Sequence, residues 1–433
     1  MEKKLFARYP IGNPKRTWRQ DNFILSVASS GPYGLDEKNP ILLERTRRSV
    51  ETTQKAGFNL QEMLWASPEV GMEIIRTAER IGAKVAYQNL RRFGGMGFYK
   101  GILNENNDLL GAIRDTKQWN CIASYYVYDE PTNADQRKVT LEMIEQMEKE
   151  CPHLLPYTVA AAAPHYINGL ADEVCPAQLS FDYYPFGNSG QKLDPAGQLD
   201  ESELWFHFET ARRAAKRIGA PFWFYYQGHQ LRYVPSPDRY TFTASRMMAN
   251  AALLYGAKQI SSYVEFDGYI DPATGGPGVH FEEQKQLNEE TANLGNTLMA
   301  LECQRVIHDE SVKIETGYKE DWDRMVSTMA DSEYLEGELP HRLSVSELCD
   351  NYGHRYLMVL NRDYRQEIHY CLHLKEAANI YRTSEQNGEE SLVFPNTKNL
   401  SGHLSAGSIA LYRLQPAAEE PYTMEYYLDK PVV

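Results

Sequence analysis

The sequence predicts a (β/α)8 barrel followed by a small antiparallel β-sandwich, and three observations carry that expectation. Over the first 300 residues short β-rich runs alternate with amphipathic helices. After about Ile307 closely spaced alternating strands take over, punctuated by Asn-Gly, Ser-Gly and Ala-Gly turn signals. Acidic and aromatic residues gather at the C-terminal ends of the early strands, which is where a barrel carries its chemistry.

The first strand is Phe23–Ser29, and a helix over Pro40–Ala56 stops at Gly57. The second strand lies in FNLQEMLWAS, where Ser67 caps a helix that opens on Pro68 and runs to Gly82. AKVAYQNL is the third strand, with a helix over about Asn107–Trp119. CIASYYVYDEP is the fourth, followed by the strongly patterned helix ADQRKVTLEMIEQMEKE. LPYTVAAAA and a short helix near Tyr166–Val174 come fifth, and QLSFDYYPF with ESELWFHFETARRAAKRIG sixth. PFWFYYQG is the seventh strand, with a helix over about Tyr240–Tyr255. KQISSYVEF is the eighth, before a helical stretch around Glu282–Leu301. A doubly wound open sheet is the competing arrangement, but no Gly-rich phosphate loop follows the first strand. The sandwich is read from VKIETGY, RMVSTMA, RLSVSELC, RYLMVLNR, EIHYCLHL, NIYRTS, ESLVFP and SIALYRL. The expected units are therefore a barrel over 1–306, a sandwich over 307–415 and a proline-containing tail over 416–433.

Composition narrows the function. At 433 residues, with 42% hydrophobic and 24% charged, the chain has material for a large core and no sign of wholesale disorder. Lys and Arg total 45 against 59 Asp and Glu, a net charge of −14, so the basic footprint of a nucleic-acid or anionic-membrane surface is missing. The 29 tyrosines offer flat rings with polar tips, which suit sugars as well as ordinary packing. Six cysteines show neither CxxC nor Cys/His ligand spacing, so reduced thiols are expected and neither a metal nor a cofactor is. No run approaches the ~18 apolar residues of a membrane span. The N-terminus has the charged start of an export signal without its apolar middle, so a cytoplasmic location is expected unless such a signal has been removed.

The strand ends supply the candidate site. The fourth strand ends in Tyr128-Asp129-Glu130-Pro131 and the sixth in Asp182-Tyr183-Tyr184-Pro185. The seventh ends in Gln227 and the eighth in Tyr263 and Glu265, while Trp65 and Gln88 close the second and third. By strict alternation Tyr126, Tyr128 and Glu130 share the axial face, as do Asp182 with Tyr184 and Tyr263 with Glu265; Asp129 falls on the other face. Two carboxyl groups across a cleft are the minimal equipment for glycoside cleavage, one protonated to serve the leaving oxygen and one ionised. Glu130, flanked by tyrosines, suits the acid/base role, with Glu265 or Asp182 as the second carboxylate. The bland alternative is that Asp129 caps the next helix and Glu130 binds a backbone amide. Tyr128, Tyr184, Trp65, Trp223 and Tyr233 are candidates to stack on a sugar, although Trp223, in mid-strand, reads as core.

YVYDEPT, FDYYPF and ALLYGAKQISSYVEF resemble the corresponding segments of loosely characterised bacterial (β/α)8 glycoside hydrolases with a DEP signature. YLMVLNRD and LSAGSIALYRL resemble the β-sandwich that many such enzymes carry behind the barrel. The resemblance implies hydrolysis of an oligo- or polysaccharide. In the large retaining clan the acid/base glutamate ends the fourth strand, usually after Asn, and the nucleophile ends the seventh; here Asp129 and Gln227 stand at those positions. Enzymes that cleave N-acetylhexosamines instead use neighbouring Asp and Glu on the fourth strand, and Asp129-Glu130 with Tyr184 resembles that arrangement too. A barrel that binds carbohydrate without cutting it stays open, because Gln227 leaves the carboxylate pair incomplete at the seventh strand. A different barrel enzyme would need a metal cluster, a phosphate loop or a Schiff-base lysine, and Lys258 lies at the wrong strand end.

Overall fold

The computed structural model describes residues 2–29, 39–63, 67–87, 109–185, 202–228, 241–263, 268–314 and 317–430. A short strand, β1 (Glu2–Arg8), precedes the barrel. The barrel runs β2 (Ile24–Ser29), α1 (Pro40–Lys55), β3 (Leu60–Met63), α2 (Pro68–Ile81), β4 (Val85–Tyr87), α3 (Leu109–Thr116), β5 (Ile122–Asp129), α4 (Ala134–Glu150) and β6 (Leu155–Val159). It continues through α5 (Pro164–Gly169), β7 (Leu179–Asp182), α6 (Ser202–Ile218), β8 (Phe222–Gln227), α7 (Phe242–Leu254), β9 (Gln259–Tyr263) and α8 (Phe281–Ala300). The strands pair in the order β6-β5-β4-β3-β2-β9-β8-β7, all parallel. A parallel bridge between Ala160 and Phe181, with Ala160 N–H donating to Ser180 C=O at 2.9 Å, joins the two ends of that order. The sheet is a nearly closed barrel, not an open doubly wound one.

Local chemistry places the helices. Ser67 caps α2 by accepting from Val70 N–H, and Gly82 ends it in the left-handed conformation at φ 74°. Asn133 and Gln136 form a reciprocal capping box on α4. Strand alternation then sorts the aromatics. Tyr126, Tyr157, Trp223 and Tyr225 pack together inside the barrel, and the Trp223 indole donates to Gln20 Oε1 at 2.9 Å. Tyr125, Phe222, Phe224 and Tyr226 point outward into the layer of helices.

After α8 come β10 (Glu302–His308), α9 (Lys319–Met325), β11 (Leu335–Glu336), β12 (Leu343–Cys349), β13 (Arg355–Asn361), β14 (Ile368–Thr383), β15 (Glu390–Leu404), β16 (Ile409–Pro416) and β17 (Tyr422–Leu428). The antiparallel order is β10-β12-β13-β16-β14-β11, with β15 on β14. Register shifts between His373 and Ala378 let the long β14 serve both parts of the sandwich. β13 shows how the two units join: Leu357 and Val359 face the sandwich core, whereas Tyr356, Met358 and Leu360 belong to the barrel's core. A strand buried on both faces leaves no slack between them.

Several expectations need correction. Strands were expected over VKIETGY and RMVSTMA, but the described residues of the first form no strand, and the second runs from the end of α9, anchored by buried Trp322, through a single bridge at Ser327 into a 3-10 turn at Met329–Asp331. Ser401-Gly402 is not a turn: it lies inside β15, and a side chain at Gly402 would collide with the Tyr370 ring across the sheet. β1 was not anticipated, since its partner is β17, about 420 residues away, in a parallel pair from Glu2↔Tyr422 to Arg8↔Leu428. The same pairing makes a strand of part of the expected tail. Among the described residues no helix is long and apolar enough to cross a membrane.

Arg413 ties these ends together. Its guanidinium holds both oxygens of Glu390 at 2.7 Å and the Tyr422 carbonyl at 2.7 Å, while Glu390 also accepts from Met424 N–H. The Arg and Glu side chains are only 1% and 4% exposed, and the guanidinium lies 4.2 Å from the Tyr381 ring centroid. Removing one partner strands a buried charge, at a cost of roughly 3–5 kcal/mol. Glu390→Ala is therefore expected to lower unfolding stability by that amount in urea titration, while Glu389→Ala on the exposed turn leaves the midpoint almost unchanged.

Candidate active site

The C-terminal ends of β5 and β7 converge on one carboxyl cluster. β5 carries one more residue than β6 between Tyr126 and Tyr128, a bulge that breaks alternation. Asp129, expected on the outer face, is consequently turned inward, where it accepts from the Tyr126 hydroxyl at 2.7 Å. Glu130 follows in the left-handed region at φ 47°, a conformation that costs a non-glycine residue on the order of 1–2 kcal/mol. That turn brings the Glu130 carboxyl into hydrogen-bond contact with Asp182 at the end of β7. Helix α4 is capped by Asn133, so Asp129 is not spent on capping.

Burial dominates the electrostatics here. It pushes the Asp182 carboxyl well above the ordinary carboxylate range, reinforced by the charges of Glu130 and Asp129 and opposed by the Tyr184 hydroxyl. Glu130 is raised by burial and then by Asp129. Asp129 is raised by burial too, against the hydrogen bond from Tyr126. A negative charge on either of two neighbouring carboxyls disfavours ionisation of the other, so the Glu130–Asp182 pair favours its protonated forms, Asp182 the more strongly raised.

Glu62, on β3 beneath this rim, was missed by sequence reasoning. It is completely buried, accepts from Ser261 Oγ at 3.1 Å and is hydrogen bonded by Tyr225, whose hydroxyl is bonded in turn by Tyr157. Burial pushes its carboxyl up to about 7 against the hydroxyls of Tyr225, Ser26 and Ser261. The signal was an acidic residue within the strand run LQEM; attention to strand ends alone passed over it.

Of the remaining candidates, Tyr184 and Tyr263 stack at 4.6 Å with their planes 20° apart, forming a half-buried aromatic wall beside Asp182. Tyr128 is buried, and Thr158 Oγ donates to its carbonyl at 2.8 Å. Gln227 is fully buried at the end of β8, its carbonyl accepting from Ser245. Trp65, Gln88, Tyr233 and Glu265 lie outside the described residues. A cavity of about 470 Å³ lies at the opposite end of the barrel, against Phe222, Lys258 and Cys303, and none of these carboxyl groups lines it.

No protein-family model matches the chain, and no curated protein does. Among solved structures, one described as a glycoside hydrolase superposes with a TM-score of 0.55 at 11% identity, covering 96% of this chain and 100% of that one. A protein assigned as an alpha-galactosidase from Bacteroides fragilis NCTC 9343 superposes with a TM-score of 0.50 at 10% identity, over 92% of this chain and 81% of its own. This chain shares the fold of these two structures, a (β/α)8 barrel with an antiparallel β-domain behind it. The similarity covers both the barrel and the sandwich, and at this identity it speaks for the fold alone.

The raised Glu62 carboxyl has a sign that stability measurements can read. Its folded pKa of about 7 lies above the ordinary 4.5, so the folded state binds the extra proton between those values. Stability from this group is complete below pH ~4.5 and is lost as pH rises through ~7. Glu62→Gln is expected to remove that loss, flattening the urea midpoint between pH 4.5 and 8 relative to wild type. Parallel pH curves for the two proteins would show that Glu62 does not titrate there.

Proposed function

We propose that this chain hydrolyses glycosidic bonds of an oligo- or polysaccharide, with the Glu130–Asp182 pair supplying the proton and Asp129 the ionised carboxylate. The observation that carries this reading is the pairing of Glu130 with Asp182 across the ends of β5 and β7, both raised by burial and each shifting the other, beside an Asp129 held by Tyr126. A sugar ring does not fit between two carboxyls in contact, because acid and nucleophile need about 5–5.5 Å in a retaining site and more in an inverting one. Glu130 and Asp182 thus act on the same side of the scissile bond. Glu130 keeps the acid/base role, and Asp182 feeds and holds its proton.

The second carboxylate of this reading is Asp129, with Glu265 the other candidate. Tyr126 donates to Asp129 and so favours its charged form where an oxocarbenium-like centre would develop. The Tyr184–Tyr263 stack supplies an apolar wall for a sugar face. The adjacency of Asp129 and Glu130 also supports an acetamide-assisted mechanism, in which Asp129 orients the substrate's own acetamide.

A panel of aryl glycosides, assayed with wild type, Glu130→Gln, Asp182→Asn, Asp129→Asn and Glu265→Gln, tests this reading. Glu130→Gln is expected to lower kcat/KM by roughly 10²–10⁴-fold, with partial retention on substrates whose leaving group needs no proton. Asp129→Asn should abolish turnover while Glu265→Gln is mild; the reverse pattern makes Glu265 the counterpart. Reaction confined to N-acetylhexosaminides selects the acetamide-assisted mechanism. Glycan binding without cleavage anywhere in the panel overturns the enzymatic reading.

For wild type, kcat/KM is expected to fall on the alkaline side as the pair is deprotonated. Because the buried charges of Glu130 and Asp129 help Asp182 keep that proton, Asp182→Asn should move the alkaline limb to lower pH. An unmoved limb would remove Asp182 from the proton-donating pair.

A further inference from the structure

We propose that the solvent face of the β14–β15 hairpin binds a borderline divalent metal ion of the zinc class through His369, His403 and Glu367. His369 and His403 are direct cross-strand partners, with ring centroids 4.7 Å apart and planes tilted by 37°. His403 Nε2 and Glu367 Oε2 are 3.0 Å apart, and ligand-type atoms of all three residues lie within 4.8 Å of one another. Tyr370, Leu372 and Leu374 point into the sandwich core, which turns the intervening His369, Cys371 and His373 outward. Backbone register thus holds the two histidines opposite each other, and Glu367 sits one residue before β14.

Two imidazoles and one carboxylate select zinc-like ions over calcium or magnesium, which prefer all-oxygen shells. A tetrahedral zinc site with bonds of about 2.0–2.1 Å places its ligand atoms roughly 3.3 Å apart. Exposed side chains reach that separation by small rotamer changes. An ion held between His403 Nε2 and Glu367 Oε2 replaces the hydrogen bond between them, with the imidazole proton on Nδ1. β15 pairs only with β14 in the sheet, and an ion spanning the two strands clamps this edge. The site is remote in role from the barrel rim: it is a structural clamp.

The test is calorimetric titration of the chelator-treated full chain with zinc chloride, beside thermal unfolding with and without zinc. Wild type is expected to bind one equivalent at this site and to unfold at higher temperature in its presence. The exposed double substitution His369→Ala/His403→Ala should weaken binding by at least about tenfold and abolish the thermal shift, with an unchanged metal-free melting curve as the check on folding. Asp129→Asn, in the barrel rim, should leave the zinc isotherm as in wild type. Superimposable isotherms for wild type and the double variant overturn the proposal. So does loss of binding in Cys371→Ser with retention in the double variant, because the exposed thiol would then be the ligand.

Discussion

Glu62 is completely buried and Asp129, Glu130 and Asp182 are partly buried, and crowding four carboxyl groups in one barrel disfavours ionising them all. Most of the barrel's polar interior answers that constraint. Glu130 and Asp182 shift each other's ionisation, Tyr126 donates to Asp129, and Tyr225 with Ser261 donates to Glu62. The tyrosines inside the barrel are therefore both packing and hydrogen-bond donors, and an all-aliphatic interior could not hold this charge. Carboxyl groups raised above their ordinary range are suited to general acid chemistry.

The geometry of that cluster rests on a local departure from regular structure. One extra residue in β5 and a left-handed Glu130 turn two consecutive carboxyls toward partners on different strands. Such backbone strain survives only where neighbours over-determine it, and here Glu130 N–H is held by the Val159 carbonyl at 3.1 Å. The parallel neighbours β6 and β7 supply the rigid frame.

The sandwich is packed directly onto the barrel that carries this arrangement. β13 is buried on both faces, and the β1–β17 pair brings the two ends of the chain to the same junction. Arg413 and Glu390 add a buried bidentate ion pair that fixes β15, β16 and β17 together. Their value is specificity of assembly as much as net stability, since buried pairs pay heavily in desolvation.

What the sequence by itself determined is what depends on local periodicity. The eight barrel strands and their helices follow from alternation, the cap at Ser67 and stops at Gly82 and Gly219, all of which act within a few residues. The polar strand ends at Asp129, Glu130, Asp182 and Tyr184 were visible for the same reason. Tertiary structure decided whatever needed a distant partner. Strict alternation put Asp129 outside, and only pairing with β6 revealed the bulge that turns it in. Nothing near Glu62 in sequence announces its partners Tyr225 and Ser261, which arrive from β8 and β9 when the barrel closes. β1 looked like a charged terminus because its other strand is formed by the last residues of the chain. Protonation belongs to this second class as well: a carboxyl's charge is set by the groups that surround it, and those are assembled only by the fold.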